Sequence, residues 1–289
     1  MGTDALSRRS FLAAAGLAGL SVPLLGACGD DESSSGKTTV EWWTIATTDP
    51  SKTLFPQLAQ EYMKAHPNVT IKHTALENDA YKNKMTALIA SGNLPDIFHT
   101  WGGGVLKQQI DAGLVKDLTG DISSWSGNVQ PLALQPYKFD NKTYGVPYDT
   151  GLVGFWYNKA LFEQAEIESP PTTWSQYLDA IRKLKSANIT PIALAGKEKW
   201  PGMYYWAYLA MRIGGVDAFK QAEASKDFNG PVFVQAGQRL KELVDLQPFQ
   251  QGFLGADYPS PTGQAATMGN GKAAMELMGQ WAPSVEADA

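Results

Sequence analysis

The sequence predicts an α/β protein in which two units follow one another, each a mainly parallel sheet flanked by helices. Three observations lead there. Short apolar runs alternate with segments of helical spacing, and parallel neighbours need crossover connections of that kind. The stretch Tyr144 to Lys159 joins a polar loop, Pro147-Tyr148-Asp149-Thr150-Gly151, to the apolar run Leu152 to Tyr157, which reads as a buried strand. The chain on either side of it carries its own set of strands and helices.

The order begins with a leader. Arg8 and Arg9 precede an uncharged run, Ala13 to Leu25, and then Gly26-Ala27-Cys28. Paired arginines before a short apolar segment read as a twin-arginine export signal over 1–27, too short to stay as a membrane span. Leu25-Gly26-Ala27-Cys28 looks like a lipoprotein cleavage box, which would leave Cys28 to carry lipid. Residues 28–38 are acidic and Ser-rich, the composition of a flexible tether. These readings place the folded part outside the cytoplasmic membrane, anchored at its extracellular face.

The first unit is expected over 39–149. Thr39 to Ile45 is a strand. Ser51 to His66 is a helix with Leu54, Leu58 and Tyr62 at helical spacing, and Pro67 ends it. Val69 to His73 is a strand, Tyr81 to Ile89 a helix stopped by Gly92, Pro95 to His99 a short strand and Gly102 to Ala112 a helix. Lys138 to Val146 forms a hairpin about Asp140-Asn141-Lys142.

The second unit is expected over 150–289. After the Leu152–Tyr157 strand comes a helix at Lys159 to Phe162. Thr173 and Gln176 fit a capping box for the next helix, whose inner face would carry Trp174, Tyr177, Leu178, Ile181 and Leu184. Ile192 to Ala195 is a strand, Gly202 to Ile213 an aromatic helix, Val232 to Leu246 an amphipathic helix, and Lys272 to Met278 a strand ending in Gly279-Gln280-Trp281.

Composition narrows the function. Net charge is −5, and the leader's two Arg and one Asp leave −6 for the remainder. An acidic body without a basic stripe argues against nucleic acid. Nine Trp, eleven Tyr and eleven Phe instead offer flat, partly polar surfaces for a ligand. His66, His73 and His99 follow no metal spacing. Gly271-Lys272 lacks the earlier Gly and the following hydroxyl of a phosphate loop, so no metal and no cofactor is expected.

Several motifs then fall in a familiar order: the lipoprotein leader, Ser91 to Phe98, Tyr144-Gly145-Val146-Pro147 through Tyr157-Asn158-Lys159, Pro171-Thr172-Thr173-Trp174, and Met275 to Trp281. Together they resemble the extracellular sugar-binding lipoproteins of bacterial ABC importers, family 1 solute-binding proteins of the maltose-binding kind. The resemblance implies a two-lobed periplasmic-binding-protein-like fold of type II, closing on a carbohydrate by hinge motion. It also implies delivery to permease subunits with a cytoplasmic ATPase, by a monomer that is not an enzyme. Family members run longer and return to the first lobe after the segment matching Trp281. The chain is therefore expected to be truncated at its C-terminus, with an incomplete second lobe.

Loops at the carboxyl ends of parallel strands are where such sheets bind ligands. Trp101, Trp200 and Trp281 each sit at an element end with Gly or Pro within two residues, suiting the C–H faces of a sugar. The resemblance places Trp281 and neighbouring Gly279 on the cleft, and matches Asp149 to an acidic sugar ligand. Thr47 and Asn78 are further candidates for the hydroxyl rim, with Glu77 weaker. Asp96 reads as structural, and Trp156, Trp174 and Trp206 as packing. Two alternatives remain open: a secreted glycoside hydrolase, for which Asp149 and Glu77 are the loop acids to nominate, and a binding protein for a non-sugar solute.

Overall fold

The computed structural model describes residues 36–288; the readings on the leader and Cys28 fall outside them. Thr38–Ala289 forms one compact unit.

Its first sheet is parallel, in the order β2-β1-β3, with β1 (Thr38–Thr44) between β2 (Val69–Ala75) and β3 (Ile97–Phe98). Crossovers α1 (Ser51–Ala65) and α2 (Asn78–Ser91) make the parallel pairing possible. Successive side chains of β1 point to opposite faces. Trp42 meets Phe55 of α1 at 5.1 Å between ring centres, while Trp43 lies 4.5 Å from the ammonium of Lys84 on α2. One helix therefore covers each face of the sheet.

The apolar spacing of α1 points the other way from expectation. Leu54, Leu58 and Tyr62 are exposed, and the buried residues are Phe55 and Ala59, one position on. A ring opposite Trp42 fills the space over the sheet better than the leucines would, so the helix is rolled by about one residue, roughly 100°. Gly92 ends α2 in the left-handed conformation at φ 72°, as a C-terminal glycine should.

After β3, Gly102 turns the chain into α3 (Gly103–Asp111) with φ 71°. A Cβ there would sit 2.9 Å from both Cβ and the carbonyl oxygen of Pro136, so glycine is required sterically as well as conformationally. The short α4 (Pro131–Leu134) leads to a small hairpin of β4 (Lys138–Phe139) and β5 (Lys142–Thr143). Asp140 and Asn141 both take positive φ, the geometry of a two-residue hairpin loop.

The second sheet region begins at β6 (Val153–Tyr157), followed by α5 (Lys159–Gln164) and α6 (Trp174–Ser186). The Thr173–Gln176 capping box forms as expected. Tyr177, Leu178, Ile181 and Leu184 are buried, and Trp174 packs on them while its indole donates to Glu242 Oε2 at 2.7 Å. α7 (Trp200–Ser225) breaks at Gly215, φ 67°, and α8 (Pro231–Asp245) packs along it. Then come α9 (Gln264–Gly269), β7 (Met275–Gly279) and α10 (Ala282–Asp288).

β6 and β7 pair antiparallel, Phe155 opposite Leu277, whereas Ile192 makes parallel bridges to both Phe249 and Met275. The expected Ile192–Ala195 strand is thus reduced to bridges at Ile192, although all four residues are buried. The strand at β6 is only half-buried, contrary to the reading of its apolar run, and Phe155 is exposed. β6 has one strand partner, and its apolar side chains line an open cavity of about 400 Å³ with Trp174, Tyr205, Tyr208 and Arg212.

Candidate functional site

Trp101 follows β3 on the turn that Gly102 closes, which leaves its indole exposed. It rests edge-on against His99 at 4.6 Å and Tyr81 at 5.9 Å. Tyr81 is held by α2, and its hydroxyl donates to the His99 carbonyl at 2.7 Å. One turn of α2 also carries Asn78 and Lys82, four residues apart and therefore on the same face.

That face meets the second sheet region. The Lys82 ammonium lies 5.0 Å from the centre of Trp101 and 5.7 Å from that of Trp200. With the Asn78 amide oxygen turned toward its donors, Trp200 Nε1 donates to it at 3.3 Å and Lys82 Nζ at 3.1 Å. Trp200 opens α7 rather than lying in a loop, and Lys199 before it takes φ 68°.

From Trp200 the contacts continue to Tyr258 at 5.5 Å. The Tyr258 hydroxyl is buried with no hydrogen-bonding partner among the described residues, and the Trp281 indole lies beside it. Trp281 follows β7, and a Cβ at Gly279 would fall inside its ring. Between them Gln280 donates to Asp149 Oδ2 at 3.4 Å, and a Cβ at Gly151 would overlap the Gln280 side chain. Beside Asp149, exposed Tyr148 lies 5.8 Å from His99, which returns the path to Trp101.

Six of the seven residues nominated from sequence, all but Thr47, therefore lie on one closed path of contacts: Trp101, Asn78, Trp200, Trp281, Gly279 and Asp149. Thr47 lies off it, donating to Glu77 Oε1 at 3.0 Å and so tying the loop after β1 to the start of α2. Glu77 is engaged by Thr47 and lies off the path. Asp96 accepts from the Glu41 amide at 2.8 Å, as a structural acid should. Gly102 and Gly103 make a tight turn into α3.

Lys82, His99, Tyr148, Glu198 and Tyr258 were missed. Lys82 had a sequence signal in its helical spacing from Asn78, and Tyr148 in its place in the polar loop that carries Asp149. The others depend on loops meeting across the molecule.

Burial decides the protonation of these groups. His99 is lowered to about 4 by burial, helped by the charge of Lys82, and is a neutral ring at pH 7. Burial lowers Lys82 too, opposed by Asp79 and Glu198. Glu198 accepts from the Tyr258 amide at 2.8 Å, yet burial, with Asp79 and Asp257 adding to it, raises its carboxyl to about 7. Burial, then Asp149, pushes the Tyr148 phenol up to about 12. The path thus joins aromatic faces, hydroxyl and amide groups, and acids. The cavity beside β6 shares none of these residues and is walled largely by apolar side chains. Among the described residues no three His, Cys, Asp or Glu side chains gather to hold a metal, and no helix is long and apolar enough to cross a membrane.

Two α/β sheet regions whose loops converge on one polar and aromatic path have the architecture of a type II periplasmic binding protein. Residues 46–289 match the bacterial extracellular solute-binding protein family, and the chain belongs to that family. It is 26% identical over 278 residues to the multiple sugar-binding protein of Streptococcus mutans, covering 92% of this chain and 64% of that protein. An ABC transporter extracellular-binding protein of Pyrococcus horikoshii is 28% identical over 252 residues, 83% of this chain and 54% of that one. A solved structure from xylan utilization by Caldanaerobius polysaccharolyticus is 34% identical with a TM-score of 0.79, covering 86% of this chain and 63% of the other. A chitin oligosaccharide binding protein is 28% identical with a TM-score of 0.78, over 88% and 64% respectively. The chain spans between about half and just under two thirds of these relatives' length.

Proposed function

We propose that this protein is a non-enzymatic receptor that captures a carbohydrate, a di- or oligosaccharide, between its two lobes and hands it to an ABC permease for import. The observation that carries the reading is the closed path of contacts joining Trp101, Trp200 and Trp281 to Asn78 and Asp149. Indole planes suit the C–H faces of sugar rings, and the amide and carboxylate suit hydroxyls. Gly279 lets Trp281 fold back against the backbone, and Thr47 steadies the Asn78 turn through Glu77. Relatives whose names state sugar binding, from Streptococcus mutans and from Bacillus subtilis, point to the same ligand class.

The hinge in this reading falls at 149/150, where Asp149 and Gly151 flank the passage into β6. In this reading the leader exports the chain by the twin-arginine route, Cys28 carries lipid that holds it beside its permease, and the receptor is a monomer. Asp149 and Glu77 serve separate partners, Gln280 and Thr47, rather than flanking one bond as a hydrolase requires.

Tryptophan fluorescence and calorimetry against a panel of neutral di- and oligosaccharides test this. Binding near micromolar, about −8 kcal/mol, with the sugar recovered unchanged, is the expected result. Release of reducing sugar would replace the receptor with an enzyme, and silence across the panel would end the carbohydrate reading.

A further inference from the structure

Lys82 stands where the ligand is expected. Its ammonium lies 5.0 Å from the Trp101 ring centre and 5.7 Å from that of Trp200, both within the range of about 6 Å for cation–π attraction. Its hydrogen bond goes to the Asn78 amide oxygen at 3.1 Å, the oxygen that Trp200 Nε1 also reaches. Among the described residues Lys82 forms no salt bridge. The acids Asp79 and Glu198 are close enough to act on its charge. The lysine thus engages both indoles and the amide while two acids stand by.

An ammonium and a sugar ring compete for the same π faces. A ring stacked on Trp101 or Trp200 would take the position the ammonium holds, and the four-carbon stem lets the charge swing aside. We propose that Lys82 is a tethered occupant of the two-indole platform, seated there in the free receptor and displaced toward Asp79 and Glu198 when a neutral carbohydrate binds. It acts as a built-in competitor that sets affinity, so weakly stacking solutes fail to dislodge it. The displacement rests on the carbohydrate reading; the seat of Lys82 in the free protein does not.

The two parts are separable by experiment. In the free protein, acrylamide quenching of tryptophan fluorescence is expected to rise in Lys82→Ala and in the milder Lys82→Gln, and the rise is expected to vanish when Trp101 and Trp200 are both replaced by Phe. Quenching unchanged in both folded variants would overturn the proposal. With a neutral oligosaccharide that the wild type binds, calorimetry should show both variants binding about fivefold more tightly, the worth of one cation–π contact released. Weaker binding would mean that Lys82 contacts the ligand, and would also overturn it. Increased quenching with no sugar bound by any form would remove the carbohydrate reading while establishing the seat of Lys82.

Discussion

Trp101 and Trp200 reach the same ammonium from opposite halves of the chain, so each presents a flat face whose loss should be felt separately. Replacing either by Ala should weaken oligosaccharide binding at least tenfold, about 1.4 kcal/mol, in calorimetry, with the thermal midpoint little changed for exposed Trp101. Substitution of Trp156 or Trp206 should instead lower stability. Trp156 donates to the Met278 carbonyl at 3.1 Å and Trp206 stacks on Phe233 at 5.4 Å. The packing pair was legible in the sequence, because both indoles lie inside apolar runs. Lys82 and His99 were not legible as site residues. A lysine on an amphipathic helix is ordinary until another part of the chain brings Trp200 over it, and nothing local to α2 encodes that arrival.

At the scale of elements, local signals worked where the backbone itself was at stake. The capping box at Thr173, the glycine stop at Gly92 and the Asp140-Asn141 turn all form as their chemistry requires. Thr173→Ala should accordingly cost about 1 kcal/mol, read as an earlier midpoint in urea. The rolled face of α1 was not legible. Leu54, Leu58 and Tyr62 have as good a helical spacing as Phe55 and Ala59, and only the Trp42 ring across the interface decides between them. Phe55→Ala should therefore cost roughly 3–5 kcal/mol, as for an aromatic removed from a core. Leu58→Ala should stay within about 0.5 kcal/mol, as for a surface change. Equal costs at the two positions would contradict the face that α1 buries.

Across the whole molecule, one buried and two partly buried titratable groups shape how stability depends on pH. Glu276 is fully buried, hydrogen-bonded by Gln264 at 3.0 Å and faced by Glu286; burial, then Glu286, raises its carboxyl to about 9. Glu198 is raised to about 7 by burial, with Asp79 and Asp257 acting in the same direction against Lys82. Each carboxyl holds its proton in the folded state at pH values where the unfolded chain has released it. Both contributions are therefore complete below the ordinary glutamate value and are lost as pH rises, through about 7 for Glu198 and about 9 for Glu276. His99, lowered to about 4, works the other way, its contribution fading as pH falls from the ordinary imidazole range. Two carboxyls outweigh one imidazole between these limits, so the thermal midpoint should be highest near about pH 5 and decline toward pH 9. Glu276→Gln should flatten the decline over its whole course up to about pH 9, and Glu198→Gln only the part below about pH 7. Each keeps a neutral side chain where the fold already prefers one; at pH 9 the buried Glu276→Gln should raise stability by about 1.4 kcal/mol or more, and the half-exposed Glu198→Gln by less, because solvent screens its charge. A midpoint that climbs steadily from pH 5 to 9, or variants that follow the wild-type curve, would mean that these carboxyls are ionised in the folded protein. The apposition of α2 with the start of α7, which partly covers Glu198 beside Lys82 and Asp79, would then be looser than the contacts at Trp200 require.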